Sequence, residues 1–503
     1  MIELLESRIA PASLVSYMDV DGDKVTISVS KGTISMSDLT LSGGTSGILE
    51  TLNLTDAGFN GANVTFHVAK GSHGNGLANV GVINAGTNDL GAVTVAGDLG
   101  SINAGNDSAT VPAIASLTVN SMGVQSLTSG SSLTSAINGA LGKLTVKHDA
   151  TNVFIDDSGA NAGIGTVKIG GSLSSVSDSG YGEVYSSGNI GSVLIGGNLQ
   201  GGISSNSGIV YSGGAIGSVT VHGSLMGSQA EDTGAIFADG NIGPVLIGGS
   251  IYGGAGEYSG VIYSSAGAIA SVNVGKSMTG GAGEYSGVIF TPMSIGPVTI
   301  KGNMTGGAGD YSGAIINGPV YSSGGVGNLG NVTIGGSVIG GAGYFSGVIY
   351  SNNNIGVINI AGDQIGGDGY CSALIYPYHG NLAALTIGGS VLGVGDGDYN
   401  AGVYVLGTAG PIVIKHSIIG GEGYSGGAFY AEDGFSTFKV GGDIVGGTGE
   451  FSAALDSGGQ LPSLTVGGNF AGGYGEYSGN VYVYGEIGLV HIGGSFTGGD
   501  GEY

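Results

Sequence analysis

The sequence predicts an all-β chain folded as a parallel β-helix, a β-solenoid. It expects three short strands per coil of about 26 residues and a small N-terminal β cap. Three observations carry this. A block such as IGSVLIGGNL (190–199), IGPVLIGGSI (242–251) or LPSLTVGGNF (461–470) recurs down most of the chain. Its fourth residue falls at Val167, Val193, Val219, Val245, Val272, Val298, Val332, Ile358, Leu385, Ile412, Phe438, Leu464 and Val490. These steps are 26 or 27 residues, apart from one of 34 between Val298 and Val332. A fixed period in this range marks a solenoid, propeller or array. Within the block the apolar residues alternate, as in Val-x-Ile, so the block reads as strand. Clusters of Gly, Ser, Asn and Asp then separate three runs per block, and these residues suit turns.

Each element follows from this frame. The first strand is the SVLIGG-like run. The second is a short apolar step before GG, such as Ile251-Tyr252 or Met304. The third is SGVIY-like, as at Gly260 to Tyr263. A propeller blade would need about 40–50 residues and a hairpin pattern. Neighbouring coils about 4.8 Å apart would stack equivalent residues into columns. One aromatic column is expected at Tyr258, Tyr285, Tyr311, Phe345, Tyr399, Tyr424, Phe451, Tyr477 and Tyr503, with Cys371 taking the place in one coil. A second follows the third strand at Tyr185, Tyr211, Phe237, Tyr263, Phe290, Tyr350, Tyr376, Tyr430 and Tyr482. Ladder packing is the first reading of these rings. A carbohydrate-binding platform is the second.

The expected organisation is an N-terminal segment 1–14, a β-rich cap 15–80, irregular coils 81–160 and regular coils 161–503, with an insertion near 317–328. The cap is expected because open solenoid ends expose strand edges. VSYMDVDGDKVTISVSKGTISM reads as two strands about a DVDGDK turn. The chain stops inside a repeat, so the expected partner is another copy joined end to end, or further domains of the same chain.

Composition restricts the function. Basic residues number 11 against 36 acidic ones, a net charge of −25, and Arg8 is the single arginine. Nucleic acid and anionic membrane surfaces call for Lys/Arg patches, so both are disfavoured. No apolar run is long enough for a membrane span. With one cysteine there is no intrachain disulfide framework. The threonine column of the first strands is single and interrupted, unlike the flat double columns of ice-binding solenoids.

Two features point to calcium, the one cofactor considered. Asp19, Asp21 and Asp23 match the first half of an oxygen-ligand loop, with Gly22 permitting the sharp turn. A plain Asp/Gly hairpin turn explains the same residues. The GGAGEYSG family resembles the GGxGxD of repeat-in-toxin calcium rolls, with Glu257, Glu284 and Asp310 at the acidic place. Those rolls repeat every nine residues, so an exposed carboxylate on a glycine corner remains the other reading. Many parallel β-helices are polysaccharide lyases or hydrolases, an analogy of fold alone. Here the solenoid has no arginine, its lysines are scattered, and its acids recur with the repeat. The seven histidines show no paired-ligand spacing. The chain is therefore not expected to be an enzyme.

The string LESRIAPA (5–12) resembles the LExRxAP-type motif that opens very large, glycine-rich repeat surface proteins of verrucomicrobial and planctomycete bacteria. YMDVDGDKVTISVSKGT (17–33) is similar to the β segment that follows it there. The resemblance implies an extracellular or cell-surface bacterial protein and no activity. The start lacks an ordinary secretory signal, which leaves the export route open. The expectation is a structural solenoid: stalk, filament subunit or surface-layer component. An adhesin binding surface glycan stands second, a polysaccharide-degrading enzyme third. A cleft that breaks the repeat is expected beside 317–328 if the chain binds or cleaves.

Overall fold

The computed structural model describes residues 13–125, 133–176, 180–319 and 327–501. The LESRIAPA string, Glu502, Tyr503 and the centre of the expected insertion lie outside the described residues. The chain is an all-β parallel solenoid with about 26 residues per turn. It divides into two compact units, 1–198 with 208–217, and 199–207 with 218–503.

The first unit opens on a hairpin. Ser13–Met18 pairs antiparallel with Lys24–Val29, and the latter pairs antiparallel with Ala62–Ala69. Parallel pairing begins inside the expected 15–80 cap. Leu49–Asn53 lies on Ala78–Asn84, which lies on the second half of Leu90–Asn103. Ala62–Ala69 lies on the first half of that same strand. Ile114–Met122, Leu141–Val146, Ile164–Ile169 and Ile190–Ile195 then follow in parallel.

In the second unit each turn carries the three predicted strands, for example Ile242–Ile247, Ile251–Tyr252 and Ile262–Ser264. The first two belong to one sheet and the third to another. The register is strict. Val245 pairs with Val272, Val272 with Val298, and Val298 with Val332. The long step from 298 to 332 therefore falls between coils, after Ile315–Asn317, and does not shift the column. Val245, Ile247, Ile251 and Ile262 point inward and are buried, as are their counterparts Val272, Val274, Met278 and Ile289 in the next turn, whereas Val490 and Phe496 of the last described turn are exposed. Each turn contributes only a few apolar side chains, and stacking joins them into one continuous core.

Polar residues make a second, lateral spine. The residue three places past each of these first strands accepts the backbone N–H of its counterpart one turn on. Ser277 Oγ takes the Asn303 N–H, Asn303 Oδ1 that of Ser337, and Ser337 Oγ that of Asp363. Asp363 Oδ1 takes the Ser390 N–H at 2.7 Å. This explains why only Ser, Asn and Asp fill the place: each is short and ends in an acceptor.

Candidate functional site

The corner before the third strand builds the most distinctive surface. Tyr258, Tyr285, Tyr311, Phe345, Cys371, Tyr399, Phe451 and Tyr477 all have positive φ, between 49° and 56°. That conformation is uncommon outside glycine, costing roughly 1–2 kcal/mol per residue. It turns the next residue inward. Ser259, Ser286 and Ser312 are fully buried there. Ser312 Oγ accepts the Gly307 N–H at 2.9 Å and donates to Gly309 O at 2.6 Å. The serine thus closes its own corner. Gly260 completes the turn at φ 68°, where a Cβ would lie 2.1 Å from Tyr252 O.

The same corner throws the aromatic ring outward onto its neighbours. Tyr258 stacks on Tyr285 at 5.2 Å and 4°, and Tyr285 on Tyr311 at 4.8 Å and 8°. Tyr311 stacks on Phe345 at 5.8 Å. Such pairs contribute about 0.5–1.5 kcal/mol each beyond their burial, which offsets the backbone strain. The rings are not interior. Most are half-buried, forming a stripe along the surface. Burial and the Glu257 carboxylate push the Tyr258 hydroxyl up to about 12. The second column runs beside the first, with Tyr263 on Phe290 at 5.1 Å and Tyr404 on Tyr430 at 4.5 Å. Tyr258 also approaches Tyr263 at 6.1 Å, so the two ladders touch.

One expected member of the first ladder is displaced. In the coil GEGYSGG the positive φ belongs to Ser425, at 54°, not to Tyr424. The Tyr424 carbonyl accepts the Tyr399 N–H, the role Glu284 O plays for Tyr258. The spacing from the GG to the corner is the usual one, but Tyr424 and Ser425 stand where other coils carry Glu257 and Tyr258, so Tyr424 occupies the place that Glu257 and Glu284 hold elsewhere. Its ring still meets Tyr399 at 5.3 Å and Phe451 at 5.5 Å.

The repeat breaks in the next coils. Asp456 replaces the second-column aromatic: it pairs in register with Tyr430 on one side and Tyr482 on the other. The residue opening the third run also shrinks. Val261, Val288, Val348 and Leu374 hold this place in four earlier coils and Ala235 and Ala314 in two, whereas these carry Gly402, Ala428 and Ala454. The lost side chains leave a hollow of about 210 Å³, walled by Tyr399, Tyr404, Tyr424, Tyr430 and Phe451 with Asp456 at its edge. A second hollow of about 310 Å³ lies on the far side of Asp456, against Tyr477, Tyr482 and Tyr484. Asp456 Oδ1 is buried and has no hydrogen-bond partner, and desolvation raises the carboxyl above its usual range. The first hollow lies far along the chain from 317–328, where a cleft is expected and where residues 320–326 lie outside the described residues. Its sequence signal is the change from YSGVIY to FSAALD.

The expected calcium ligands are arranged differently. Asp23 is buried, and its two oxygens take the N–H groups of Gly71 and Gly76, each at 2.6 Å. Desolvation would raise its carboxyl, but these amides and the Lys70 ammonium hold it below the usual range. Asp21 takes the Asn75 N–H at 3.0 Å, and Asp19 those of Val20 and Asn79. The three carboxylates clamp the loop 71–79 to the hairpin turn through these amides. Sequence reading misses this partner because it lies about 50 residues away. Among the described residues no group of three or more His, Cys, Asp or Glu side chains is placed to hold a metal ion. Glu257 and Glu284 are exposed, one per coil beside the tyrosine stripe, and so is Asp310, which accepts the Tyr344 N–H at 2.9 Å. Desolvation and its neighbours Glu257 and Asp310 raise the Glu284 carboxyl.

Among the described residues no helix is long and apolar enough to cross a membrane. Compared with known protein families, curated proteins and solved structures, the chain matches none of them.

Proposed function

We propose that the chain is a structural β-solenoid of a bacterial cell surface or its surroundings, a stalk, filament subunit or surface-layer component. One observation carries this: successive turns repeat the same load-carrying parts. The buried serine of the corner, the Ser/Asn/Asp spine and the inward Val and Ile columns recur coil after coil. That investment serves a regular stack. The acidic, arginine-poor surface keeps such stacks soluble and apart. The resemblance of residues 5–12 to surface-protein openings supports the location. The test is labelling of intact source cells with antibody raised against residues 199–501, with surface proteolysis in parallel. Surface labelling lost on proteolysis is expected. Antigen found only in the cytoplasmic fraction would overturn the proposal.

An adhesive role is the second reading, favoured by the half-buried aromatic stripe and by the break at Asp456. Hydrolysis of glycosides takes two carboxylates about 5–10 Å apart. Among the described residues lining the two hollows, Asp456 is the single carboxylate.

A further inference from the structure

We infer that the missing rung at Asp456 is a saccharide-binding site. It takes one pyranose ring of a neutral or amino-sugar chain, slotted into the second aromatic column between Tyr430 and Tyr482.

The argument begins with the gap. Tyr404 stacks on Tyr430 at 4.5 Å, and the next rung, in register, carries Asp456 in place of a ring. Tyr482 follows one turn further on. Two coil spacings separate Tyr430 from Tyr482, about 9.6 Å. The column therefore lacks a ring at Asp456, with one hollow on its Tyr430 side and another on its Tyr482 side. The neighbouring hollow gives a ring room to enter, because Ala428 and Ala454 stand where three earlier turns carry valine.

Chemistry then selects the ring. A purely aromatic guest would leave the buried Asp456 Oδ1 without a partner, as it is now, and an unmet buried acceptor is costly. A sugar satisfies both demands. Its C–H faces lie on the tyrosines, and its equatorial hydroxyls donate to the carboxylate. Tyr404, Tyr424 and Tyr430 add hydroxyls at the rim for further hydrogen bonds. Acidic sugars are excluded by Asp456 itself, by Glu432 close enough to act on Tyr430, and by the net charge of −25. An amino group would be drawn to the same carboxylate. The half-exposed stripe running away from the hollow could carry the adjoining residues of a chain.

The test is titration calorimetry of the full chain with a panel of oligosaccharides. The panel holds linear glucose, mannose, galactose, glucosamine and N-acetylglucosamine hexamers, with oligogalacturonate and phenyltrimethylammonium as controls. The chain has no tryptophan, so tyrosine fluorescence gives a second readout. At least one neutral or amino hexamer is expected to bind. Asp456→Tyr restores the ladder residue of other turns and should weaken that binding at least tenfold, with melting unchanged or raised. Ala454→Val, which refills the hollow with the residue three earlier turns carry, should do the same and covers the case that Asp456→Tyr misfolds. The site is overturned if no neutral or amino hexamer binds. It is also overturned if either folded variant binds as the parent does, or if oligogalacturonate or phenyltrimethylammonium is the preferred ligand. None of these outcomes bears on where the protein resides, so this test and the surface-labelling test fail separately.

Discussion

Ser312 contributes in a way its size does not suggest. Its hydroxyl has one donor and one acceptor partner inside the same corner, both out of water. Ser312→Ala strands the Gly307 N–H, while the Gly309 carbonyl keeps the residue-312 backbone N–H, and leaving such a buried group unmet costs about 1–3 kcal/mol. Hydrogen exchange should show faster exchange at Gly307 than at Val245, several turns away, because each turn touches only its neighbours. Tyr311 is a milder case. Its ring stacks on Tyr285 and Phe345 but stays half-exposed. Tyr311→Ala therefore forfeits two stacking pairs without leaving a sealed cavity, a loss of about 1–3 kcal/mol in denaturant unfolding. In the first unit Glu183 governs a pH response. Burial and the nearby Asp156 push its carboxyl up to about 7, and burial lifts Asp157 to about 6. The folded state thus holds these protons more tightly than the unfolded chain. Their stabilising contribution is complete below about pH 4.3 and is lost as pH rises through about 7. Melting should occur at higher temperature at pH 5 than at pH 8, and Glu183→Gln should flatten that difference by raising stability at pH 8. A variant as pH-sensitive as the parent would show that other groups set the response.

At the scale of elements, the hairpin 13–29 and the loop 71–79 form one unit through three carboxylates. Asp23→Ala removes the acceptor of the Gly71 and Gly76 amides. Hydrogen bonds to a charged acceptor contribute about 1.5–3 kcal/mol each, so melting of the first unit should fall by several degrees. Each carboxylate oxygen that takes an amide keeps further acceptor capacity, so the calcium loop is tested by melting with calcium against chelator: a rise that Asp21→Ala abolishes establishes it, and equal melting of parent and variant in both discards it. The contrast between this clamp and the strands shows what the residues reveal alone. The three strands per turn are legible because alternation and β-branched residues are local signals, as in Val298–Ile300. The aromatic columns are legible because the period carries Tyr258 onto Tyr285. The clamp is not, since Asp23 and Gly76 are brought together only by the folded sheet. Nor is the exchange at Tyr424, where a tyrosine stands in its neighbour's place and Ser425 takes the corner, with the spacing and the strands around it unchanged. The hollow at Asp456 is hidden for a further reason. It consists of side chains that are smaller or absent, and a repeat search finds what recurs.

For the stack as a whole, the turn should behave as the unit of construction. Ile269 pairs with Ile295, Val272 with Val298 and Val274 with Ile300, and on its other side the strand Ile269–Val274 lies on Ile242–Ile247. Deleting residues 269–294 removes one complete turn. Ile295 would then lie on Ile242, Val298 on Val245, Ile300 on Ile247 and Met304 on Ile251. Every inward place keeps an apolar residue, and Tyr311 meets Tyr258 in the ladder. Such a variant should fold with an unchanged β signature in circular dichroism and a melting temperature within a few degrees of the parent, since stability is close to a sum over turns and their interfaces. Deleting residues 269–281 removes half a turn instead. The third strand Ile289–Thr291 would then follow Ser264–Ala268 with only residues 282–288 and no first or second strand between, and every inward residue below would lose its column. That variant should aggregate or lose cooperative melting. If both deletions melt alike, the columns are not what holds the turns together, and the account of the stack given by its register fails.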